Sequence, residues 1–376
     1  MSDVPPLVWV RPDALFDGQT VSRGVVALRG RVVEQVAAEP PAGARVRPVL
    51  GTLTMGFIDL QVNGGGDVLF NTDPTPEGIA AIIAAHRRFG TVGLLPTVIT
   101  DAPEVMQKAA RAVLAARDQV GVLGIHIEGP HISVARRGTH DEAYVRPMDR
   151  ATIDLVAGLR AEGLPVIITL APENATADQI SELAATGAVV SLGHTNATAE
   201  DTKAALAAGA GCFTHLFNAM SPMLNRSPGV TGAALNSRAY AGIICDGVHV
   251  ADDVIAIALR ARPAKDVTFL VSDAMPTVGG SDSFQLYDMH LTLSDGRLLN
   301  DQGSLAGAHV TLAESVRRLI TVLGVDPAEA LRMATTVPAR VVGRDDLCTL
   351  TGRRAEDLLI LDPAWKVTGT LAAALA

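Results

Sequence analysis

Ten polar residues stand at the ends of short apolar runs. Asp59, Gln61 and Asn63 close one run, His126 and Glu128 another, and His194 and His215 two successive ones. Asp246 and His249 follow the next, and Asp273 ends the last. A carboxylate with two imidazoles is the ligand set of a hydrolytic zinc site that keeps one position for water. Glu128, His194 and His215 are therefore candidate ligands. Asp273, opposite them, would take a proton from that water and return it to a leaving amine. A lone histidine at a strand end is usually a satisfied polar residue. Two at consecutive strand ends, with acids two strands before and two strands after, favour a metal.

The remaining polar residues read more plainly. His126 shares a strand face with Glu128 by the period of two, so it is expected to support the ligands rather than join them. His86, in a helical stretch, and His290, in a hairpin, are expected to be surface or structural residues. His309, at a helix start, is expected to be structural. Asp59 is either a hydrogen-bond partner or a loop anchor.

Such residues act together only if the chain brings many strand ends to one rim. Eight apolar strand candidates, at 56–62, 92–99, 122–127, 166–170, 188–192, 211–215, 241–245 and 267–271, alternate with Ala-rich stretches. The predicted helices are 76–89, 103–118, 149–162, 176–186, 198–208, 251–262, 311–323 and 327–335. From Asp59 to Asp273 the repeat is about 30 residues, the span of a βα unit. This pattern predicts an α/β fold, a (β/α)8 TIM barrel whose site lies at the C-terminal ends of its strands. Asn63-Gly64-Gly65-Gly66 is neither GxGxxG nor a P-loop, so dinucleotide and nucleotide readings are weak.

Short strands at 7–10, 24–28, 32–36 and 46–53, and again at 357–361 and 366–370, flank the barrel. They predict a small β-sandwich domain built from both termini, giving segments 1–54, 55–344 and 345–376. Strands at 286–293 and 297–299 around Ser294-Asp295-Gly296 predict a hairpin inserted in the last βα connection.

Composition narrows the function classes. The chain has 376 residues, 48% hydrophobic and 19% charged, which is globular rather than disordered. A net charge of −9 argues against nucleic acid as a partner. Cys212, Cys245 and Cys348 form no CxxC pair, so buried thiols in a reducing compartment are expected. Neither a secretory leader nor a long apolar span is evident, and a cytoplasmic protein without membrane association is expected.

The ordered motifs resemble the N-acetylglucosamine-6-phosphate deacetylases of the amidohydrolase superfamily. They are GFIDLQVNGGG (56–66), HIEGPHIS (126–133), RRGTH (136–140), LAPE (170–173), SLGHTNAT (191–198), THLFNAM (214–220), GIICDGVHV (242–250), VSDA (271–274) and GSLAGA (303–308). Nine motifs in order over nearly the whole chain make the resemblance specific. It implies one divalent metal ion per subunit, Zn2+ or another ion such as Fe2+, on Glu128, His194 and His215, with Asp273 as acid and base. Superfamily members with two metals carry His-x-His on the first barrel strand. Here Gln61 and Asn63 stand there, beside the metal or linked to it through water, as in the single-metal branch.

The resemblance also implies that His140, with Thr139 beside it, hydrogen-bonds the substrate near its acetyl carbonyl. Asn218, Ala219, Leu305, Ala306 and Gly307 would line a sugar pocket. His249 and Arg226 would grip the 6-phosphate, Arg226 acting across the subunits of a homodimer. Three departures are Met55 where the family usually has Pro, Gly352-Arg353 for the usual Gly-Lys, and C-terminal strands that end early in an Ala-rich tail. Two rivals are the N-acetylgalactosamine-6-phosphate epimer activity and a non-catalytic scaffold that keeps the barrel. A cyclic-amide hydrolase or deaminase would want His-x-His and often a lysine on the fourth strand, and 166–170 holds none.

Overall fold

The computed structural model describes residues 6–300, 303 and 305–376; Ser304 of the GSLAGA motif lies outside the described residues. The chain begins with β1 (Leu7–Phe16), β2 (Val21–Ser22), β3 (Val25–Arg29), β4 (Val32–Ala37) and β5 (Val46–Met55). One residue later β6 (Phe57–Val62) enters the barrel. That residue, Gly56, has no room for a side chain, because a Cβ would lie 2.2 Å from Val92 Cγ1.

A short ribbon, β7 (Gly64–Gly65) with β8 (Val68–Leu69), leads to the repeating units. These are α1 (Pro76–Arg87), β9 (Thr91–Ile99), α2 (Pro103–Ala115), β10 (Ile125–Glu128), α3 (Arg150–Ala161), β11 (Val166–Leu170), α4 (Ala177–Ala185) and β12 (Val189–Leu192). They continue with α5 (Ala199–Ala207), β13 (Cys212–Phe213), α6 (Gly229–Leu235), β14 (Tyr240–Ile243), α7 (Asp252–Ala261) and β15 (Thr268–Leu270). Then come β16 (Ser283–Leu286), β17 (Met289–Ser294) and β18 (Arg297–Asn300). The chain closes with α8 (Leu312–Thr321), α9 (Pro327–Ala334), α10 (Thr336–Val341), β19 (Leu358–Leu361), β20 (Val367–Thr370) and α11 (Leu371–Leu375).

The eight barrel strands run in the order β15-β14-β13-β12-β11-β10-β9-β6, all in parallel register. The two edges meet where Asp273 N donates to Gln61 O at 3.0 Å and Asn63 N to Ala274 O at 2.9 Å. The barrel of the sequence reading is present. Its strands β6, β9, β10 and β11 are buried along their whole length, which explains continuous apolar runs rather than alternation.

Helix starts are set by side chains in the loops. Thr198 and Asp201 form a capping box at α5, and Thr311 and Glu314 another at α8. The first fixes where the His194 loop must end. Three helices, α6, α10 and α11, were not foreseen. The α6 sequence GVTGAAL has two glycines and no side-chain cap, so local propensity gives no signal. Tertiary hydrogen bonds from Val230 N to Ser221 Oγ (2.8 Å) and Thr231 Oγ1 to Ser221 O (3.0 Å) hold it.

The two chain ends do build one β unit, in the order β20-β19-β5-β1-β3-β4 with β2 on β1. It is hydrogen-bonded as a single sheet, and the Ala-rich tail is helix α11 with Leu371 buried. This sheet shares an apolar cluster with the barrel: Leu53, Met55 and Phe57 pack with Ile243, Leu270, Leu319, Leu331 and Leu358. The inserted β16–β18 sheet packs Leu286, Leu291 and Leu298 against Leu69, Ile99 and Met275. Its Asp295-Gly296 turn has positive φ at both residues, as a type I′ hairpin needs.

Candidate active site

Barrel geometry delivers the expected residues to one rim. Glu128 is the last residue of β10, His194 follows β12, His215 follows β13, and Asp273 follows β15. His194, His215 and Asp273 all adopt positive φ, at 47°, 30° and 53°. Such backbone is strained in non-glycine residues and is concentrated at functional sites. Here it turns the side chains inward directly after the strand ends.

The result is a tight triad. His215 Nε2 lies 3.0 Å from Glu128 Oε1 and 3.0 Å from His194 Nε2. His194 Nε2 lies 3.2 Å from the same oxygen. Hydrogen-bond accounting shows what this arrangement wants. His194 Nδ1 is 2.9 Å from Arg136 O, and a carbonyl only accepts, so Nδ1 carries the proton. In the neutral ring, Nε2 then points a lone pair at a carboxylate oxygen and another imidazole. A cation resolves that conflict. In a tetrahedral site with bonds of about 2.0–2.1 Å, neighbouring ligands stand about 3.3 Å apart, close to the spacings found. The residues fit a divalent metal.

Electrostatics agree. Burial alone would push Glu128 up, yet the two histidines hold its carboxyl well below the usual range. Burial works against a charged His215, but Glu128 raises it above an ordinary histidine. The pocket thus attracts positive charge. His215 Nδ1 is buried without a hydrogen-bond partner among the described residues.

Gln61 and Asn63 touch the carboxylates. Gln61 Nε2 donates to Glu128 Oε1 at 3.0 Å and to Asp273 Oδ1 at 3.1 Å. Asn63 Nδ2 donates to the same Asp273 oxygen at 2.7 Å. One amide therefore ties a candidate ligand to the candidate proton carrier. Asp273 Oδ2 has no hydrogen-bond partner among the described residues. Burial pushes the Asp273 carboxyl up to about 6, with the charge of Glu128 adding to the effect.

A cavity of about 190 Å³ opens over the triad, lined by Asn63, Thr139, His140, Asn218, Ala219 and His249 among others. Leu305 and Gly307 line it too. Two expected pocket residues are elsewhere. Ala306 is fully buried and packs under the inserted sheet with Met275 and Leu291, because backbone alternation turns it away from its neighbours. Arg226 is exposed and does not line the cavity of its own chain. A wider depression of about 460 Å³, lined by Arg260, Lys265, Asp326 and Glu329 among others, contains none of these residues. Among the described residues, the one three-ligand group does not lie there.

His126, His86 and His309 are held in structural hydrogen bonds. His126 lies 3.0 Å from Leu60 O and 2.7 Å from Thr169 Oγ1, so neither nitrogen reaches the triad. His86 is buried, 2.9 Å from Gly64 O. His309 meets Thr277 Oγ1 at 2.9 Å, and His290 is exposed. Asp59 anchors the strand ends, accepting from Gln61 N and Ser272 N at 3.2 Å each.

Two supporting residues, Thr100 and Glu173, escaped the sequence reading, and Asp246 was singled out there without its partner. Thr100 Oγ1 meets His140 Nδ1 at 2.7 Å. Glu173 accepts from Thr195 Oγ1 at 2.6 Å and Asn196 N at 2.7 Å, fixing the His194 loop. Asp246 Oδ2 meets His249 Nδ1 at 2.6 Å. The available signals were the LAPE motif for Glu173 and the three-residue spacing for Asp246; Thr100 had none.

Comparison with known proteins follows the same lines. An N-acetylgalactosamine-6-phosphate deacetylase of Shewanella sp. is 43% identical over 92% of this chain and 88% of its own. An N-acetylglucosamine-6-phosphate deacetylase of Haemophilus influenzae is 34% identical over 92% of each chain. The crystal structure of N-acetylglucosamine-6-phosphate deacetylase from Pasteurella multocida superposes with a TM-score of 0.89 at 32% identity, over 97% of this chain and 98% of that one. Residues 52–374 match the amidohydrolase family. With the barrel, the rim and these likenesses in agreement, the chain belongs to the amidohydrolase family.

Proposed function

We propose that this chain is a metal-dependent deacetylase that hydrolyses N-acetyl-D-glucosamine 6-phosphate to D-glucosamine 6-phosphate and acetate. The observation that carries this reading is the convergence of Glu128 Oε1, His194 Nε2 and His215 Nε2 beside Asp273 in one cavity. Relatives named for this reaction cover nearly the whole chain.

Glu128, His194 and His215 would hold one divalent ion, Zn2+ in this reading. When bound, such an ion polarises an acetamide carbonyl and lowers the pKa of water towards neutrality. Asp273 is the general base and then the general acid. Its Oδ1 is occupied by two amide donors, which leaves Oδ2 to take the water proton and deliver it to the departing nitrogen. Gln61 and Asn63 hold that carboxylate in one orientation. His140, buried and kept neutral by its surroundings, sits against His194 with ring centroids 4.3 Å apart. In this reading it orients the acetyl group. Asn218 and Ala219 through their backbones, with Thr139, Leu305 and Gly307, would shape the sugar pocket, and His249 and Arg226 would hold the 6-phosphate.

Arg226 would do so across a homodimer. Its loop exposes Met223 at 56% and Leu224 at 58%, an apolar surface that a second copy would cover. No described helix is long and apolar enough to cross a membrane, in keeping with a cytoplasmic enzyme of amino-sugar metabolism.

The Shewanella relative gives the galactosamine epimer a specific claim. Acetate release from the glucosamine and galactosamine 6-phosphate substrates, beside unphosphorylated N-acetylglucosamine, separates the readings. Fastest turnover is expected on the glucosamine 6-phosphate substrate. Preference for the galactosamine compound would move the assignment to that epimer, and no acetate from any substrate would refute it.

A further inference from the structure

Among the described residues, the cavity over the triad is lined by no lysine and no arginine. Its charged walls are the carboxylates of Glu128 and Asp273. A substrate with a phosphate group would bring two more negative charges, and apart from the triad and His140 the wall offers it one further imidazole, His249. The loop after β14 is built around that side chain. Asp246 Oδ1 accepts from Val248 N at 2.8 Å and His249 N at 2.9 Å, while its Oδ2 lies 2.6 Å from His249 Nδ1. Gly247 between them has φ +76°, and a Cβ there would lie 2.1 Å from Arg318. The positive φ at Gly247 and the three bonds to Asp246 hold the turn.

The chemistry of the partners then restricts the ring. A carboxylate accepts, so Nδ1 is the donor to Asp246. In a neutral ring this leaves Nε2 as an acceptor, facing a cavity where phosphate oxygens are acceptors too. Both nitrogens can be satisfied only by the doubly protonated ring. We propose that Asp246 is a positioning residue that holds His249 as an imidazolium with Nε2–H towards the cavity, so that recognition of the substrate's anionic group depends on a proton. The proposal rests on the reading that the substrate is phosphorylated.

The groups around the ring are consistent with this state. Asp246 is its close partner, and hydrogen bonding to His249 holds the Asp246 carboxyl low despite burial. Asp273 faces it from the neighbouring strand end and feels its charge. Cys245 precedes the loop as a buried thiol, raised to about 12 by burial. Arg318 packs on the loop but is neutralised by Asp252, with bonds of 2.8 and 2.7 Å.

The test is Asp246→Asn. The asparagine Oδ1 can still accept from Val248 N and His249 N, so the turn survives and only the carboxylate charge is lost. Its NH2 would then donate to His249 Nδ1. KM and kcat for the phosphorylated and unphosphorylated sugars are measured above pH 7, beyond the substrate's second phosphate ionisation near pH 6. In the native enzyme, KM for the phosphorylated sugar is expected to rise with pH while KM for the unphosphorylated sugar stays flat. In Asp246→Asn the neutral ring would keep its hydrogen on Nε2, so the variant should raise the phosphorylated KM about tenfold through the lost charge, flatten its dependence on pH, and change kcat less. His249→Gln, which cannot be protonated, should give a high KM that does not vary with pH, and it carries the test if the first variant fails to fold. A folded Asp246→Asn enzyme with the native KM and pH profile would overturn the proposal, as would a pH-dependent KM in His249→Gln. Equal native KM for the two sugars would instead remove the phosphorylated-substrate reading, and the proposal with it.

Discussion

At the scale of single residues, the site is organised by Gln61 as much as by the histidines. Its amide donates to both carboxylates, and the opposite orientation would set an oxygen against them. Gln61→Leu should therefore loosen Glu128 and weaken metal affinity by about 10- to 100-fold, read by competition with a chelator. Unchanged affinity would mean that the amide only fills space. Glu128, His194, His215 and Asp273 were legible in the sequence because each is a polar residue ending an apolar run, and barrel topology leaves such residues one place to go. Ala306 was misplaced because a motif names a stretch of chain, not which side of it faces the cavity. Thr100 was invisible for the same reason: its role lies in a hydroxyl 2.7 Å from His140, forty residues away.

Elements show what local pattern conveys and what it leaves to packing. The capped helices α5 and α8 began within a residue of the predicted positions, since Thr–Asp and Thr–Glu boxes are local chemistry. Helix α6 was missed because its support comes from Ser221, outside the segment. Helix α1 carries a testable element-level property. It buries His86 against Gly64 O, and burial lowers that ring to about 4 from an ordinary 6.5. Between pH 6.5 and 4 the unfolded chain binds the proton and the folded chain does not. His86 therefore contributes stability at neutral pH that is lost as pH falls through this window, at most about 3 kcal/mol. Asp59, pushed up to about 7 by burial, acts in the opposite sense over much of the same range, so the comparison must be with a variant. His86→Gln, which keeps an N–H for Gly64, should lose less stability than the native chain between pH 7 and 4 in denaturant titrations. Identical slopes would contradict the assignment.

The whole molecule explains why both chain ends matter to a site neither reaches. The terminal sheet shares its apolar cluster with β6, β14 and β15 and with helices α8 and α9. Strand β6 carries Gln61, and β14 and β15 lead into Asp246 and Asp273. The sequence patterns identified strands at both ends and their union in one small β-sandwich domain, but not the single sheet, which depends on the antiparallel pairing of β19 with β5 across about 300 residues of chain. A rim so braced presents one three-ligand set among the described residues, Glu128 with His194 and His215. The account as a whole therefore requires one metal ion per chain and one carboxylate moving the proton. The direct measurement is metal content and turnover on the same preparation of the native protein and of Asp273→Asn. We expect about one ion per chain in both, with turnover on N-acetyl-D-glucosamine 6-phosphate lowered about 10²- to 10⁴-fold in the variant. Near-native turnover with the metal retained, or two ions per chain both needed for activity, would contradict it.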